Sequence, residues 1–281
     1  MNYYELTAKA FALRRDVLDM IYQSKGGHFG GDFSVMDILV TLYYLHMNIS
    51  PKNMNDPFRD RFILSKGHAV AALYAVLCDK GFFPKTSLTT FSQFGSEFIG
   101  HPNNKINGIE MNSGSLGHGL SVGVGMAIAA KMDSANYRVY VVMGDGELAE
   151  GTIWEGAMAA SHYKLDNLIA IIDRNRLQIS GSTEDVMAQD ILTERWASFG
   201  WNVFEENGHD IKALDNAICN AKAHENQPSL IIANTIKGFG YSGAENKIEW
   251  HHKVPNAEQY EAARAELICR EANARLGVDS I

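Results

Sequence analysis

The stretch that most constrains the fold of this chain is residues 137–156, YRVYVVMGDGELAEGTIWEG. It opens as an apolar, β-branched and aromatic run of the kind that fills a buried strand. That run passes directly into Gly144-Asp145-Gly146, and a helical pattern takes over from residue 152. The same alternation recurs along the chain. Helical periodicity marks residues 5–23, 34–47, 68–80, 118–132, 152–163, 188–199, 210–224 and 256–275, and short β-rich runs lie at 61–65, 138–143, 168–173, 201–205 and 229–235. Strands alternating with helices imply an α/β fold with a mostly parallel central sheet and helices on both faces. Ligands of such sheets bind beyond the carboxyl ends of the strands, and Gly-Asp-Gly stands at one of them. Neither a repeat nor a low-complexity linker divides the sequence, so residues 1–281 read as one domain.

The bulk properties narrow the function. Apolar residues make up 46% of the chain, enough for a large core. A net charge of −8 disfavours a general nucleic-acid surface. Cys78, Cys219 and Cys269 show no zinc-finger or CxxC spacing, and their odd number argues against a disulfide framework, so a reducing cytoplasm is expected. Lys9, Arg14, Arg15 and Asp16 interrupt the apolar residues near the N-terminus, which excludes a signal peptide there. The apolar run 69–78 is too short to span a membrane.

Three carboxylates, Glu147, Glu150 and Glu155, follow Asp145, in a region where a starting helix favours anions. Gly-Asp-Gly alone is a common turn. A second strand end alters that balance, because Asp173-Arg-Asn-Arg-Leu177 places Asn175 after the next β-run, 30 residues beyond Asp145. A carboxylate and an amide oxygen are hard ligands suited to Mg²⁺ or Ca²⁺, and magnesium takes its remaining ligands from water and phosphate. Gly144 and Gly146 would let a diphosphate approach the backbone. The glycine-rich segment 114–125 contains no G-x-G-x-x-G and follows no strand, which argues against a dinucleotide site; Gly119, Gly123 and Gly125 read as close-packing positions in a helix. His28, His68, His101 and His251 lie in glycine-bearing or loop contexts, where neutral imidazoles can hydrogen-bond sugar hydroxyls or move protons. The connections 81–117 and 236–255 are long enough to be functional.

Taken together, these pieces resemble the N-terminal, diphosphate-binding part of transketolase. The thiamine diphosphate signature reads GDGELAEGTIWEGAMAASHYKLDNLIAIIDRNRLQISGST here. SKGGHFGGDFSVMDILVTLYY, RFILSKGHAVAALYAVL, GHPN, NSGSLGHGLSVGVGMAIA and the KGFG…EWHHKVPN loop match successive segments of that family in order. The resemblance implies thiamine diphosphate as cofactor, held through Mg²⁺, with Ca²⁺ or Mn²⁺ as substitutes. It implies that Asp145, the Asn175 side chain and the Leu177 carbonyl bind the metal, and that Gly144 and Gly146 lie against the diphosphate. His68 and His251 would sit near the diphosphate and reacting centre, His28 and His101 would face the sugar oxygens, and Ser115, Leu116 and Gly117 would border the cofactor rings. Glu150 and Glu155 match acids that communicate across a subunit interface, with Glu150 also near the cofactor. The later acids as a group are expected at that interface and its proton network.

The chain departs from the family pattern at two places. His118 stands where many members have glutamine, and Ser180-Gly181-Ser182 replaces a usual Asp-Gly pattern. The pyrimidine-binding and C-terminal parts of a full transketolase have no counterpart before Ile281. The resemblance therefore implies a separately encoded C-terminal partner subunit, self-association of this chain and an α2β2 heterotetramer that transfers a two-carbon ketol unit from a ketose phosphate to an aldose. Sugar phosphates are then the expected substrates, with neither nucleic acid nor membrane as a partner. The α chain of a 2-oxo acid dehydrogenase shares the GDG…N signature, but His28, His68 and His101 in their glycine contexts match transketolase. LSKGHA and GHPN weigh against 1-deoxyxylulose-phosphate synthase-like chemistry. The retained metal and histidine positions weigh against a non-catalytic binding module.

Overall fold

The computed structural model describes residues 1–278; residues 279–281, the end of the expected domain, lie outside the described residues. Five parallel strands form the central sheet: β1 (Arg61–Leu64), β2 (Val139–Gly144), β3 (Leu168–Arg174), β6 (Asn202–Asn207) and β7 (Ser229–Asn234). Their order is β1-β2-β3-β7-β6, and every pair is parallel. Side chains alternate across the sheet, as the two-residue period of a strand requires. Val139, Val141 and Met143 of β2, with Leu168, Ala170 and Ile172 of β3, enter the core on one face. Tyr140, Val142, Ile169 and Ile171 enter the core on the other. Helices α4 (His118–Met132), α5 (Gly151–His162) and α7 (Leu192–Ser198) supply the first core. The second takes α1 (Tyr3–Ser24), α2 (Phe29–Thr41), α3 (Val70–Asp79), α8 (Ile211–Ala223) and α9 (Ala257–Arg275). Capping boxes begin α1, from Asn2 and Glu5, and α9, from Asn256 and Gln259.

Three segments differ from the periodicity reading, each for a local physical reason. The helix expected at 34–47 begins earlier, at Phe29, and runs through Gly30 and Gly31. Those glycines reflect packing: a Cβ on Gly30 would lie 2.9 Å from the Trp250 carbonyl, and one on Gly31 would lie 3.2 Å from the His68 ring. After Thr41 the helix widens into a π-helical turn, Leu42–His46. The helix expected at 188–199 is shorter, α7 alone, and an extended tract separates it from a further short helix, α6 (Thr183–Met187). Gln189 in that tract is buried and donates Nε2 to the Asp145 carbonyl at 2.5 Å, so a contact to the strand end displaces helical continuity. A small hairpin, β4 (Leu177–Gln178) with β5 (Gly181–Ser182), follows β3. Its Ser180-Gly181-Ser182 departure has a local use, since Ser182 caps α6 by accepting from the Asp185 amide at 3.1 Å. In α4, Gly119 and Gly123 are close-packing positions, where a Cβ would collide with the Ser65 side chain and meet Val141 at 2.6 Å, whereas Gly125 faces open space.

Candidate active site

The carboxyl ends of four adjacent strands surround one cavity of about 240 Å³. Its walls include Lys66 after β1, Asp145 after β2, Asn175 after β3 and Lys237 after β7, together with His68, Leu116 and His251. The parallel register makes this convergence unavoidable. Gly144 pairs with Asp173 and Arg174 with Asn234, so the residues that follow leave the sheet side by side.

Asp145 is almost wholly buried. Its Oδ1 accepts from the Gly146 amide at 2.8 Å and its Oδ2 from the Arg176 amide at 2.5 Å. Burial, then the nearby Asp173 charge, push its carboxyl up to about 6, a group poised to be relieved by a cation. Asn175 Oδ1 accepts from the Leu177 amide at 3.2 Å. The Leu177 carbonyl accepts from Lys237 Nζ at 2.9 Å, and the same ammonium lies 2.9 Å from His251 Nδ1. Burial, then Lys66, lower Lys237 to about 8. One carboxylate, one amide oxygen and one carbonyl form an all-oxygen donor set that fits Mg²⁺. Gln178 Nε2 lies buried with no hydrogen-bond partner at the rim of the same cavity, a donor that suits an anionic oxygen ligand such as a diphosphate.

The histidines gather above this floor. His28 lies 5.3 Å from His68, 6.1 Å from His101 and 5.7 Å from His251 between ring centroids, and 4.6 Å from His252. Burial lowers all four of the predicted imidazoles, His28 to about 4 and His251 to about 3, with His68 well below its ordinary value and His101 also depressed. They are therefore neutral at pH 7, the form that both donates to and accepts from hydroxyl groups. Gly114 fixes the approach of His101. It holds φ at +135°, and a Cβ there would meet the His101 ring at 2.7 Å.

The remaining sequence candidates divide. Leu116 lines the cavity, whereas Ser115 is exposed outside it. Gly117 is buried, with φ +86° and its amide donated to Glu147 Oε1 at 2.8 Å. A Cβ on Gly117 would lie 2.6 Å from the Glu150 Cβ, so this glycine seats the turn against Glu150. Glu150 and Glu155 are exposed at the start of α5. Glu147 behaves differently from the interface role expected for the later acids. It is buried, and its carboxylate accepts from Ser65 Oγ, the Gly117 amide and the Gly144 amide at 3.1 Å, tying the β1, β2 and α4 ends together. His118 is exposed and turns Nδ1 toward the Ser115 and Leu116 carbonyls at 3.2 Å.

Sequence reasoning missed the charged floor: Lys66, Asp173 and Lys237. Lys66 donates to Asp173 and, at 3.1 Å, to the Gly31 carbonyl, while Asp173 also accepts from Ser34 at 2.6 Å and from Thr235. Burial alone would raise Asp173, but Lys66 and the two hydroxyls hold its carboxyl below the ordinary range. The available signal was a charge closing an apolar strand run, as in LIAIID, which buries that charge unless something pairs it.

Residues 7–274 match the family described as transketolase, thiamine diphosphate binding domain. The chain belongs to the transketolase family. A subunit of the apulose-4-phosphate transketolase of Phocaeicola vulgatus is 50% identical over 254 residues, covering 90% of each chain. The 6-deoxy-6-sulfo-D-fructose transketolase subunit of a Clostridium species is 41% identical over 264 residues, covering 94% of this chain and 96% of that one. Among solved structures, transketolase from Campylobacter jejuni superposes with a TM-score of 0.89 at 31% identity, covering 99% of this chain and 46% of that one. This chain thus spans about half the length of the solved transketolases it matches, and nearly the whole length of curated relatives named as subunits. The parallel-sheet α/β fold is that of the transketolase diphosphate-binding domain.

Proposed function

We propose that this chain is the diphosphate-binding subunit of a two-chain transketolase, folded as one domain over residues 1–281. Asp145, Asn175 and the Leu177 carbonyl would hold Mg²⁺, and the metal with Gly144 and Gly146 would seat the diphosphate of thiamine diphosphate. The bound cofactor supplies an electron sink for breaking a carbon–carbon bond beside a carbonyl. The protein's share is positioning and proton handling. His28 and His101, neutral and 6.1 Å apart between ring centroids, would hydrogen-bond sugar oxygens. His68 and His251 would line the reacting centre, with His251 Nδ1 kept as an acceptor by Lys237. Exposed Glu150 and Glu155 would meet a neighbouring protomer, as the interface acids of the family do.

The observation that carries this reading is the joint lining of one cavity by the oxygen donors and by His68 and His251. Relatives of matching length named as subunits support a separately encoded C-terminal partner, here proposed as the second half of an α2β2 assembly. Those relatives' names include a sugar phosphate and a sulfonated sugar, so the donor is proposed only as a ketose bearing an anionic terminus. No helix among the described residues is long and apolar enough to cross a membrane. A reducing cytoplasm, suggested by three free cysteines, completes the proposal. The test is reconstitution. The purified chain with thiamine diphosphate and Mg²⁺ is expected to show negligible ketol transfer, and titration with the C-terminal subunit is expected to restore it saturably at near-equal stoichiometry. Turnover by the chain alone, or turnover of pyruvate in place of ketoses by the pair, would overturn this assignment.

A further inference from the structure

A second cluster of ligand-type side chains lies where the π-helical turn meets α8. One ligand atom each from His46, Asp215 and Cys219 falls within 4.8 Å of the others. His46 Nε2 is 2.9 Å from Asp215 Oδ1, and Cys219 Sγ is 3.7 Å from the same oxygen. Lys222, which contacts His46, also borders the surface cavity beside residues 137, 138 and 167, which lead into β2 and β3. The cluster therefore sits toward the amino ends of the strands, away from the histidines described above.

We propose that His46, Asp215 and Cys219 form a transition-metal site of the Zn²⁺ class, separate from the carboxyl-edge cavity. The first argument is ligand chemistry, because an imidazole, a carboxylate and a thiolate together are ligands of zinc and not of magnesium. Spacing gives the second. Zinc bonds of about 2.0–2.3 Å in a tetrahedron set neighbouring ligand atoms roughly 3.3–3.8 Å apart, and the present separations need only small adjustments to reach that range. The third is an unexplained polar atom. The His46 side chain is 3% exposed, yet Nε2 has no hydrogen-bond partner, since the nearby carboxylate oxygen is poorly aligned to accept. A buried nitrogen of this kind calls for a ligand.

The backbone presents these groups deliberately. Asp215 and Cys219 are four residues apart on α8 and so share one face. The π-helical turn carries His46 onto that face, and such turns recur at functional sites. Tyr3 donates its hydroxyl to Asp215 Oδ2 at 2.6 Å, orienting the carboxylate as an outer-shell partner does. Lys222 Nζ opposes binding, lying 3.1 Å from both His46 Nδ1 and the His46 carbonyl. As an ammonium it donates to Nδ1 and leaves the ring hydrogen on Nε2. Metal binding moves that hydrogen to Nδ1, Lys222 retains only the carbonyl, and the Cys219 thiol releases its proton to solvent. Cys219 is exposed, so water can complete the fourth position.

The test uses the full chain, stripped with a chelator and then titrated with Co²⁺ in excess Mg²⁺, which occupies oxygen-only sites. One Co²⁺ per chain is expected, with a sulfur-to-cobalt charge-transfer band and tetrahedral ligand-field bands, both displaced by Zn²⁺. Cys219→Ser should abolish the charge-transfer band, while a Cys78→Ser, Cys269→Ser double variant retains it. Asp215→Asn should weaken Co²⁺ binding at least tenfold. No thiolate band in the wild type, or a band that survives Cys219→Ser, would overturn the site. Because Cys219 is exposed, its serine variant provides this readout even if a His46 variant fails to fold.

Discussion

Two buried ion pairs adjoin α2, and their different completeness separates scaffold from site. Arg14 of α1 and Asp37 of α2 pair between the two helices, with side chains 0% and 1% exposed. Arg14 donates Nε to the Phe33 carbonyl and both terminal nitrogens to Asp37, at 3.2 and 2.5 Å. His209 donates Nδ1 to Asp37 at 2.7 Å, accepts from the Ile236 amide through Nε2 and stacks on Phe239 at 3.7 Å. Every direction of this network is filled by protein. Lys66 and Asp173 are equally buried, 1% and 0%, but the ammonium borders the cavity. Arginine's planar fork closes a structural pair, whereas lysine keeps a rotatable point charge that can face a ligand. Burial of charge therefore marks both places, and only the unfilled directions mark function.

This contrast can be broken by experiment. Arg14→Met leaves Asp37 buried without its guanidinium partner and is expected to cost about 3–5 kcal/mol of stability by chemical denaturation. The folded fraction should bind thiamine diphosphate normally; a specific loss of cofactor affinity would merge the two networks into one. Asp145→Ala is expected to do the reverse. Calorimetry should show several kcal/mol of Mg²⁺-dependent cofactor affinity lost, on the order of a broken buried charge contact, with stability nearly unchanged because the carboxyl is held at about 6 by burial and Asp173. His101→Ala should lower ketol turnover by the reconstituted pair by about 10²–10³-fold, as for a polar contact made in the transition state, with cofactor affinity preserved. Full turnover with a weakened fold would move His101 to the scaffold side.

The smallest effect sharpens the comparison through pH. His28 falls from 6.5 to about 4 because burial, then His252 and His101, disfavour its charged form. The unfolded chain thus takes up this proton at a higher pH than the folded chain. The stability linked to neutral His28 is complete above about 6.5, erodes as pH falls and is lost once pH passes about 4, with a ceiling of about 3 kcal/mol. His28→Gln should flatten the pH dependence of the denaturation midpoint across that window.

Much of this was legible in the residues themselves. All five sheet strands fall within two residues of the β-rich runs that signalled them; β1, β2, β3 and β7 are buried and written as near-continuous hydrophobicity, whereas the edge strand β6 was legible through Trp201, Val203 and Phe204. Asp145 and Asn175 were legible because each is a polar residue just past such a run. The helix through Gly30 and Gly31 was not, since glycine weakens local propensity and its cause here, the Trp250 carbonyl and the His68 ring, lies far away in sequence. The buried role of Glu147 was hidden among neighbouring acids. Only the tertiary approach of Ser65 and Gly117 distinguishes it from exposed Glu150. Lys66 and Lys237 could be quoted within motifs but not given contacts, because partners such as Asp173, Gly31 and Leu177 lie far away in sequence.

The packing of α1 against α9 sets an order of events during synthesis. Arg15 reaches Glu271 at 2.5 Å, Tyr260 donates to Asp19 at 2.7 Å, and Tyr22 stacks on Tyr260 at 4.2 Å. Helix α1 thus waits for α9 to emerge, far longer than β1 waits for β2, its one strand neighbour among the described residues. Closing loops of this length is slow. Until residues 257–275 emerge, the α1 flank that meets Leu267 and Ala263 has no cover, so the nascent chain passes through a stage at which holding chaperones have a binding surface and an early stop leaves an aggregation-prone product.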